Sequence, residues 1–399
     1  MTEPPSGREL RRPLLVIFLT ILVNLIGFGI IIPLLPFYAQ TFGASPVAIG
    51  LLFASFSVSQ LIASPLLGDW SDRWGRRPVL IFSLLGTVVS FVMLALAHSL
   101  AMLFAARVVD GLSGGNITTA RAYIGDVTDE SNRAKAFGML GAAFGLGFII
   151  GPALGGLFAR ISYTAPIWAA AAITVVATAL AWAWLPETVH RVHAVAVSPW
   201  RALGELSRRH GLRTLFAIDF VYWTCFAIYQ GTFALFGEQR FGFDVTQIGY
   251  ILAGFGALGV LVQGALVAPI VRRLGERRTL TVGLLFAAFS WGATALAHSV
   301  PVFIVLLVPG ALGVGFCNPS LISLLSGAAG RHEQGRVQGA AGALESLGRA
   351  IGPMWGNSAL QWFGEGSAYA SAAVLLLVTA AMSVTYNPRA VPRDVGRPA

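Results

Sequence analysis

The sequence predicts an all-α integral membrane fold, in which twelve transmembrane helices form two homologous six-helix halves around a central cavity. Three observations lead to this prediction. Only 11% of the 399 residues are Asp, Glu, Lys or Arg, whereas soluble domains carry about 25%. Apolar stretches long enough to cross about 30 Å of hydrocarbon recur along the whole chain. Short motifs of the first half also return about 200 residues later.

The apolar stretches must be helical, because in lipid only helices and closed barrels satisfy every backbone hydrogen bond. The first stretch has spanning length and no small-residue cleavage site follows it, so we interpret it as helix 1 and not as a removable signal. The twelve predicted spans are residues 13–37, 47–67, 79–97, 100–122, 134–158, 164–185, 213–237, 246–271, 279–298, 300–326, 335–362 and 366–385.

The basic residues predict the orientation of these spans. Most of the 27 Lys and Arg residues lie in alternate connections, whereas the opposite connections keep only Arg160 and Arg240. The positive-inside rule then places both termini in the cytoplasm, and a bacterial inner membrane is the expected location. The net charge of +9 is divided among short clusters, so we predict no nucleic-acid binding.

The two halves resemble each other at a nearly fixed offset. Residues 95–99 read Ala-Leu-Ala-His-Ser, as do residues 295–299, and Gly151-Pro152 returns as Gly352-Pro353. A unit with an even number of helices repeats in the same orientation, which is typical of halves that rock about a midplane site and transport a small solute by alternating access. The predicted segments are an N-terminal half (1–185), a cytoplasmic linker (186–212), a C-terminal half (213–385) and a cytoplasmic tail (386–399).

Several motifs resemble those of a known family. The loop from Gly68 to Pro78 reads Gly-Asp-Trp-Ser-Asp-Arg-Trp-Gly-Arg-Arg-Pro, and it resembles the signature loop of the major facilitator superfamily. Residues 107–111 are similar to the arginine–glycine motif of that superfamily. The glycines and the proline of residues 141–156 look like the motif of its drug/proton antiporters. Residues 122–126 and 236–242 look like the tetracycline/proton antiporter group.

The resemblance implies a conformational latch in the loop between helices 2 and 3. With Asp126, this loop would hold the cytoplasmic side closed while the cavity opens outward, its arginines pairing with carboxylates of the other half; a purely topological basic cluster is the alternative. Asp72 is placed to cap an adjacent helix N-terminus, and Gly75 permits a tight turn. The latch residues are Gly68, Asp72, Arg73, Gly75, Arg76, Arg77 and Asp126.

The resemblance also implies that helices 1, 4, 7 and 10 line the substrate cavity. Aromatic groups in an apolar cavity suit a flat or lipophilic solute, and scattered polar groups orient it. Such a stripe of aromatic residues can equally serve helix packing. The candidates are Asn24 and Phe28 on helix 1, Asn116 on helix 4, Tyr222, Phe226, Tyr229, Gln230 and Phe233 on helix 7, and Asn318 on helix 10.

Three acids, Asp110, Asp219 and Glu345, lie inside predicted spans, where ionisable groups are costly and are functional candidates. Arg107 is three residues from Asp110, and Arg349 is four from Glu345, so each pair shares a helix face and can form an ion pair. Asp219 has no basic residue nearby in the sequence, and it either pairs across helices, reaches water or carries a proton. The proton-coupling candidates are therefore these three acids and, by resemblance, Arg107.

Helix 5 carries small residues at a spacing that permits close helix packing in lipid. Gly141 and Gly145 are four apart, as are Gly151 and Gly155, and Pro152 can kink the helix. We expect these residues to face helix 8, which carries Gly254, Gly256 and Gly259.

The chain departs from the tetracycline group at three places. The resembled antiporters carry membrane-embedded aspartates in helices 1, 3 and 9, and the matching residues here are Asn24, Ser90 and Ala287. Tetracycline with its metal chelate is therefore not the expected substrate, and a coupling proton must use other groups.

No enzyme signature and no cofactor or metal site is expected. The chain has no Gly-x-x-x-x-Gly-Lys-Ser/Thr phosphate loop, so ATP is not the predicted energy source. Cys225 and Cys317 lie in apolar stretches without disulfide or metal spacing. We expect a monomer whose partners are the lipid bilayer, protons and a small-molecule substrate.

These inferences predict secondary active transport, with proton-coupled export of small lipophilic or amphipathic compounds. Two alternatives stay open. The first is a proton-coupled or facilitative importer of a small metabolite on the same fold, against which the glycine–proline motif argues. The second is a non-transporting receptor or scaffold, which the missing aspartates favour and the latch and cavity motifs disfavour.

Overall fold

A computed structural model of the chain describes residues 11–114, 116–128, 130–188, 199–329 and 333–386, without the side chains of residues 11–13, 116–118, 121, 130–137 and 210. These residues contain helices and no strand, and the all-α class is confirmed. A π-helical segment, Val262–Leu266, lies between the helices Val245–Leu261 and Val267–Leu274. The helices are α1 (Arg11–Gln40), α2 (Pro46–Trp74), α3 (Arg76–Ala95), α4 (Leu100–Leu112), α5 (Asn116–Val127), α6 (Glu130–Ala159), α7 (Ala165–Trp184), α8 (Pro199–Leu206), α9 (His210–Phe241), α10 (Val245–Leu261), α11 (Val267–Leu274), α12 (Glu276–Ala295), α13 (Val300–Ala328), α14 (Gln334–Phe363) and α15 (Ser367–Thr385).

The helices account for all twelve predicted spans. Within the described residues, 9 helical segments are long and apolar enough to cross a membrane by length and composition alone. The other predicted spans correspond to α4 with α5, to α12 and to α14, in which helix breaks, charges or small polar residues lower the mean hydropathy.

The prediction of one continuous fourth helix over residues 100–122 was wrong. α4 ends at Leu112 and α5 begins at Asn116, with a glycine-rich segment between them. Glycine is less favourable in a helix than alanine by about 1 kcal/mol. The carbonyl of Gly114 accepts a hydrogen bond from Nε2 of Gln60 at 3.1 Å, so α2 satisfies a backbone group that the break leaves free.

The described residues form two compact units. The first contains those of Met1–Ala196 and Phe243–Gly256, and the second contains those of Val197–Gly242 and Ala257–Ala399. The segment Phe243–Gly256 lies in the predicted C-terminal half but packs on α6 within the first unit, and the division into two six-helix halves stays a prediction.

The first unit is organised around α1. This helix packs on α6 and α7, while α3 packs on α7 and α2 packs on α4. A buried apolar cluster joins α1, α3, α5, α6 and α7 through residues such as Ile17, Ile21, Leu84 and Tyr123. Because lipid is as apolar as these side chains, close packing and not removal from water holds the helices together.

The second unit has an aromatic core. α9 packs along α14, and α12 packs on α13 and α15. Trp291 of α12 stacks on Tyr229 with ring centroids 5.1 Å apart, and Tyr369 of α15 lies 4.6 Å from Phe236. These contacts fix which faces of α9 point into the unit.

The predicted linker, residues 186–212, contains the short helix α8 and the first turn of α9, while residues 189–198 lie outside the described part. Ion pairs connect this segment to α14. Arg209 donates to both carboxylate oxygens of Glu333, at 2.7 and 2.9 Å, and Glu205 pairs with Arg336. Residues 199–212 of the linker are therefore attached to the second unit.

Candidate functional site

The first unit holds a buried ion pair on α4. Nη1 of Arg107 donates to Oδ2 of Asp110 at 2.7 Å, and the two residues are 1% and 8% exposed. The Arg107 guanidinium also lies over the Phe56 ring, 4.4 Å from its centroid. The i, i+3 spacing seen in the sequence therefore produces an ion pair, and Phe56 of α2 packs against the arginine.

Aromatic residues surround this pair. Phe28 of α1 lies 6.0 Å from Phe56 and 6.2 Å from Phe148, centroid to centroid. Asn24 and Phe28 are half-buried, and the side chain of Asn116 lies outside the described part of the chain. Sequence reasoning missed Phe56 and Phe148, because a phenylalanine within an apolar span carries no signal of the face on which it lies.

The second unit holds a cluster of two carboxyl groups and one guanidinium. Asp219 of α9 is 1% exposed, and its Oδ2 has no hydrogen-bond partner among the described residues. It lies within electrostatic range of Glu345 and Arg349 of α14. Arg349 pairs with Glu345 at 3.7 Å, donates to Oγ of Ser346 at 3.0 Å and lies over the ring of Trp223.

This cluster changes the interpretation of Asp219. The sequence shows no basic residue near Asp219, but α14 brings Arg349 to it across the helix interface. Arg349 forms its ion pair with Glu345, and its charge also acts on Asp219. Trp223, four residues after Asp219 on α9, was not among the predicted residues.

The predicted aromatic stripe of α9 divides between two faces. Tyr222, Tyr229 and Phe233 are buried inside the second unit, with Tyr229 against Trp291 and Phe233 against Phe303. Phe226, Gln230 and Asn318 are half-buried. The buried three form packing contacts, so we leave them out of the site proposed below.

The glycine motif of α6 packs mainly on α1, not on α10 as the sequence suggested. A Cβ at Gly151 would lie 2.7 Å from the Cα of Gly29, and one at Gly155 would lie 3.1 Å from the carbonyl oxygen of Ile30. By contrast, a Cβ at Gly141 would meet no described atom within 4 Å, and Gly145 is half-buried.

The contact with α10 is made by neighbouring residues of α6. Thr246 donates its hydroxyl to the Gly156 carbonyl at 2.9 Å, and a Cβ at Gly249 would lie 2.5 Å from the Pro152 carbonyl oxygen. Gly256 approaches Phe148. The predicted role of Gly254 in this packing was wrong, since a Cβ there would meet no described atom within 4 Å, whereas the role of Gly259, which belongs to the second unit, stays a prediction.

A second glycine stripe in α14 repeats this arrangement and was missed by sequence reasoning. Gly348, Gly352 and Gly356 pack against α9, where a Cβ at Gly352 would lie 2.6 Å from the Thr224 carbonyl oxygen. Their spacing of four residues, about 200 after the stripe of α6, was a usable signal.

The loop between α2 and α3 is a network of ion pairs within the first unit. Nε of Arg76 donates to Oδ2 of Asp126 at 3.0 Å, and Arg76 also pairs with Asp72. Arg73 pairs with Asp69 at 3.1 Å. Each of these pairs lies within the first unit, and both the pairing with carboxylates of the other half and the latch role stay predictions.

The cap of α3 comes from a residue that the sequence did not indicate. Glu187 accepts hydrogen bonds from the backbone N–H groups of Arg76 at 2.8 Å and Arg77 at 3.2 Å. Asp72, the predicted cap, pairs with Arg76 instead. Gly75 has φ +107°, which confirms the predicted tight turn at this glycine. Gly68 lies inside α2, and a Cβ there would meet no described atom within 4 Å.

Apolar spanning helices, a repeated unit and buried charges define a multi-pass membrane transporter. A family model described as Major Facilitator Superfamily matches residues 17–353 and 238–398. The chain belongs to this superfamily, and it acts as a transporter of small molecules and not as an enzyme.

Resistance proteins are among its relatives. The chain is 36% identical over 356 residues to the tetracycline resistance protein, class G, of Vibrio anguillarum, covering 86% of this chain and 89% of that protein. It is 33% identical over 383 residues to the class C protein of Escherichia coli, with 92% and 94% covered. It is 30% identical over 360 residues to multidrug resistance protein 2 of Bacillus subtilis (strain 168), with 88% and 90% covered.

Solved transporter structures share the fold. The human organic anion transporter MFSD10 (TETRAN) matches with a TM-score of 0.74 and 26% identity, covering 94% of this chain and 99% of that one. A bacterial homologue of the human lysosomal transporter Spinster matches with a TM-score of 0.77 and 18% identity, covering 99% and 100%. The second likeness concerns the fold alone.

Proposed function

We propose that the protein is a proton-coupled exporter of small lipophilic or amphipathic compounds. The observation that carries this proposal is the cluster of Asp219, Glu345 and Arg349, in which Arg349 pairs with Glu345 at 3.7 Å and the buried Asp219 lies within electrostatic range of both. Relatives named tetracycline resistance and multidrug resistance proteins support export as the direction.

The charge balance of this cluster supports proton uptake. If both acids are ionised, the cluster carries one net negative charge at a depth where unpaired charges are costly. One proton makes it neutral. In this proposal the substrate favours one orientation of the cavity and the proton favours the other. Each ligand shifts the equilibrium between the two orientations by its differential affinity for them, so substrate and proton exchange across the membrane.

The substrate class follows from the surroundings of the charges. Phe28 and Phe56 in the first unit, and Trp223 and Phe226 in the second, offer half-buried aromatic surface near ionisable groups. Such surfaces suit a flat lipophilic solute. The half-buried amides of Asn24, Gln230 and Asn318 supply polar contacts in this proposal.

A tetracycline–metal chelate is not the proposed substrate. Ser90 and Ala287, which match embedded aspartates of the resembled group, are 1% and 0% exposed. Ala287 also packs on Gly313, where a Cβ would lie 2.6 Å from the Ala287 nitrogen. Neither Ser90 nor Ala287 carries an ionisable group, so coupling is assigned to α9 and α14.

The proposed location is a bacterial inner membrane with both termini in the cytoplasm. The basic clusters at one set of helix ends support this orientation. At the opposite ends, Arg160 lies over the Tyr250 ring and Arg240 pairs with Glu365.

Proton release from liposomes tests the proposal. The full chain is reconstituted with an internal pH dye under an imposed proton gradient, and a panel of lipophilic drugs is added. We expect drug-dependent proton movement from the wild type and its loss in Asp219→Asn. Asp244→Asn is the matched control, because Asp244 lies on an exposed turn and its bond to the Gln247 N–H can be kept by Asn.

The outcomes separate the alternatives. Proton movement retained in Asp219→Asn would remove this residue as the carrier and move the assignment to Glu345 and Asp110. Substrate and protons entering together would identify an importer on the same fold. Saturable binding without counterflow would identify a non-transporting receptor.

A further inference from the structure

The turn between α11 and α12 carries arginines without ionic partners. Arg272 and Arg273 lie in the last turn of α11, and Arg278 lies in the first turn of α12. All three are exposed, and no carboxylate of the described residues forms an ion pair with them. The fourth arginine of this turn, Arg277, donates instead to the carbonyls of Val384 and Tyr386.

The repeat explains this imbalance. At the offset of 200 defined by Gly75 and Gly275, Asp72 of the first unit is replaced by Arg272, and Asp126 is replaced by Ser326. The first unit therefore neutralises its turn with its own carboxylates, as the pairs of Arg76 show. In the second unit the turn holds one carboxylate, Glu276, which accepts a hydrogen bond from Ser323, against four arginines, so a basic cluster remains that can attract an external anion.

An apolar groove lies on the same element. Its volume is about 330 Å³, and Leu261 and Leu266 on its rim are 65% and 42% exposed. It follows the π-helical segment, where Val262 packs on Gly315 of α13. The groove is lined by Leu258, Leu261, Val262, Ala265, Leu266, Val308, Ala311 and Leu312.

The groove and the basic cluster share one helix face. Arg272 and Arg273 follow Ala265 and Leu266 by seven residues, which is two turns of helix. At 1.5 Å per residue, the groove residues of α10 and the π-helical segment lie roughly 9–21 Å from Arg272 along the axis. One leaflet of hydrocarbon is about 15 Å deep. The groove thus lies at the depth that an acyl chain occupies when the phosphate group of the same lipid contacts the arginines.

We infer that this surface binds an anionic phospholipid, with the phosphate group at Arg272, Arg273 and Arg278 and an acyl chain in the groove. Guanidinium groups bind phosphate oxygens through paired hydrogen bonds. A lipid with net negative charge gains attraction to the cluster that a zwitterionic lipid lacks. This inference does not depend on the transported substrate or on proton coupling.

Lipid titration tests this inference. The purified, delipidated full chain in detergent is titrated with palmitoyl-oleoyl phosphatidylglycerol or phosphatidylcholine, and bound lipid is counted by native mass spectrometry. We expect preference for phosphatidylglycerol and, in R272Q/R273Q/R278Q, a loss of about 10- to 100-fold in its affinity. R389Q/R393Q/R397Q removes the same charge elsewhere and is expected to bind as the wild type does.

The acyl chain is tested separately. Ala265 is exposed at the groove, so Ala265→Trp can fill the space from its open side. We expect weaker binding of the long-chain lipid in this variant and no change for dihexanoyl phosphatidylglycerol, which is too short to fill the groove. Full affinity in R272Q/R273Q/R278Q, an equal loss in the R389Q/R393Q/R397Q control, or unchanged long-chain binding in Ala265→Trp would each overturn the inference.

Discussion

Arg77 and Arg277, 200 residues apart, make the same contact in the two units. Nη2 of Arg77 donates to the Trp182 carbonyl at 2.5 Å, and Nη1 of Arg277 donates to the Tyr386 carbonyl at 2.9 Å. The two arginines reach the C-terminal ends of α7 and α15, where carbonyl groups lack helical partners and a positive charge is favourable. The repeated arginine is thus a structural brace in both halves.

The glycines two residues before Arg77 and Arg277 can be compared directly. Gly75 has φ +107° and ψ 155°, and Gly275 has φ +77° and ψ 160°, which is a region that essentially only glycine adopts. We expect Gly75→Ala and Gly275→Ala each to cost about 1–3 kcal/mol from backbone strain. A Cβ at Gly75 also meets the Glu187 carboxylate, whereas one at Gly275 has no described neighbour within 4 Å.

Gly75→Ala should therefore lower the unfolding temperature more than Gly275→Ala does, measured in detergent by loss of helical circular dichroism. Combining Gly75→Ala with Glu187→Gln should cost less than the sum of the two changes, because both act on one cap. Equal effects of the two alanines would show that the Glu187 cap adds nothing.

Sequence reasoning identified the helices because each span is a long apolar run bounded by polar turns. It also found Arg107 with Asp110 and Glu345 with Arg349, since spacings of three and four residues define one helix face. It could not find contacts that depend on which helices are neighbours. The hydrogen bonds that Glu187 accepts at the start of α3 are one example.

The faces of α9 show the second limit. Tyr222, Phe226, Tyr229 and Phe233 have helical spacing, but α9 is apolar around most of its circumference, and such a helix has no single face that spacing can identify. Only the packing of Trp291, Tyr369 and Phe303 reveals that Tyr229 and Phe233 point into the unit.

The glycine stripe of α14 should be sensitive to one methyl group. A Cβ at Gly352 would lie 2.6 Å from the carbonyl oxygen of Thr224 and 2.7 Å from the Cβ of Ala227, and backbone atoms cannot move away as side chains can. We expect Gly352→Ala to cost about 1–3 kcal/mol, as overpacking does. Thermal unfolding in detergent measures the effect.

Gly342, on the same helix, is the matched control. A Cβ there meets no described atom within 4 Å, so Gly342→Ala is expected to be neutral or to stabilise by up to about 1 kcal/mol through helix propensity. A destabilisation as large as that of Gly352→Ala would show that α14 does not depend on close contact with α9.

The proposed latch predicts that Asp126 matters more for the transport rate than Asp69 does. Asp126 joins α5 to Arg76, whose side chain is 13% exposed, whereas the Asp69–Arg73 pair is on the surface with Arg73 70% exposed. Exposed pairs contribute about 0–1 kcal/mol. If Arg76–Asp126 biases the transport cycle, Asp126→Asn should lower the transport rate about fivefold or more at unchanged expression.

Asp69→Asn makes the same chemical change and should leave the rate close to that of the wild type. Transport by both variants is measured in liposomes at matched protein density. A normal rate in Asp126→Asn would reduce this cluster to its topological role of basic residues at the membrane surface.

The buried Arg107 should not tolerate lysine. Its guanidinium donates to Asp110, and the central carbon of the guanidinium lies 4.4 Å from the Phe56 ring centroid. An ammonium group keeps the charge, so folding is expected to survive, but it cannot make both contacts in the same planar geometry. A loss of about 1.4 kcal/mol or more corresponds to at least about tenfold slower transport.

Arg160→Lys is the matched control, because Arg160 is exposed and lies 5.8 Å from the Tyr250 centroid. Transport by Arg107→Lys at the rate of Arg160→Lys would mean that this site requires only a positive charge.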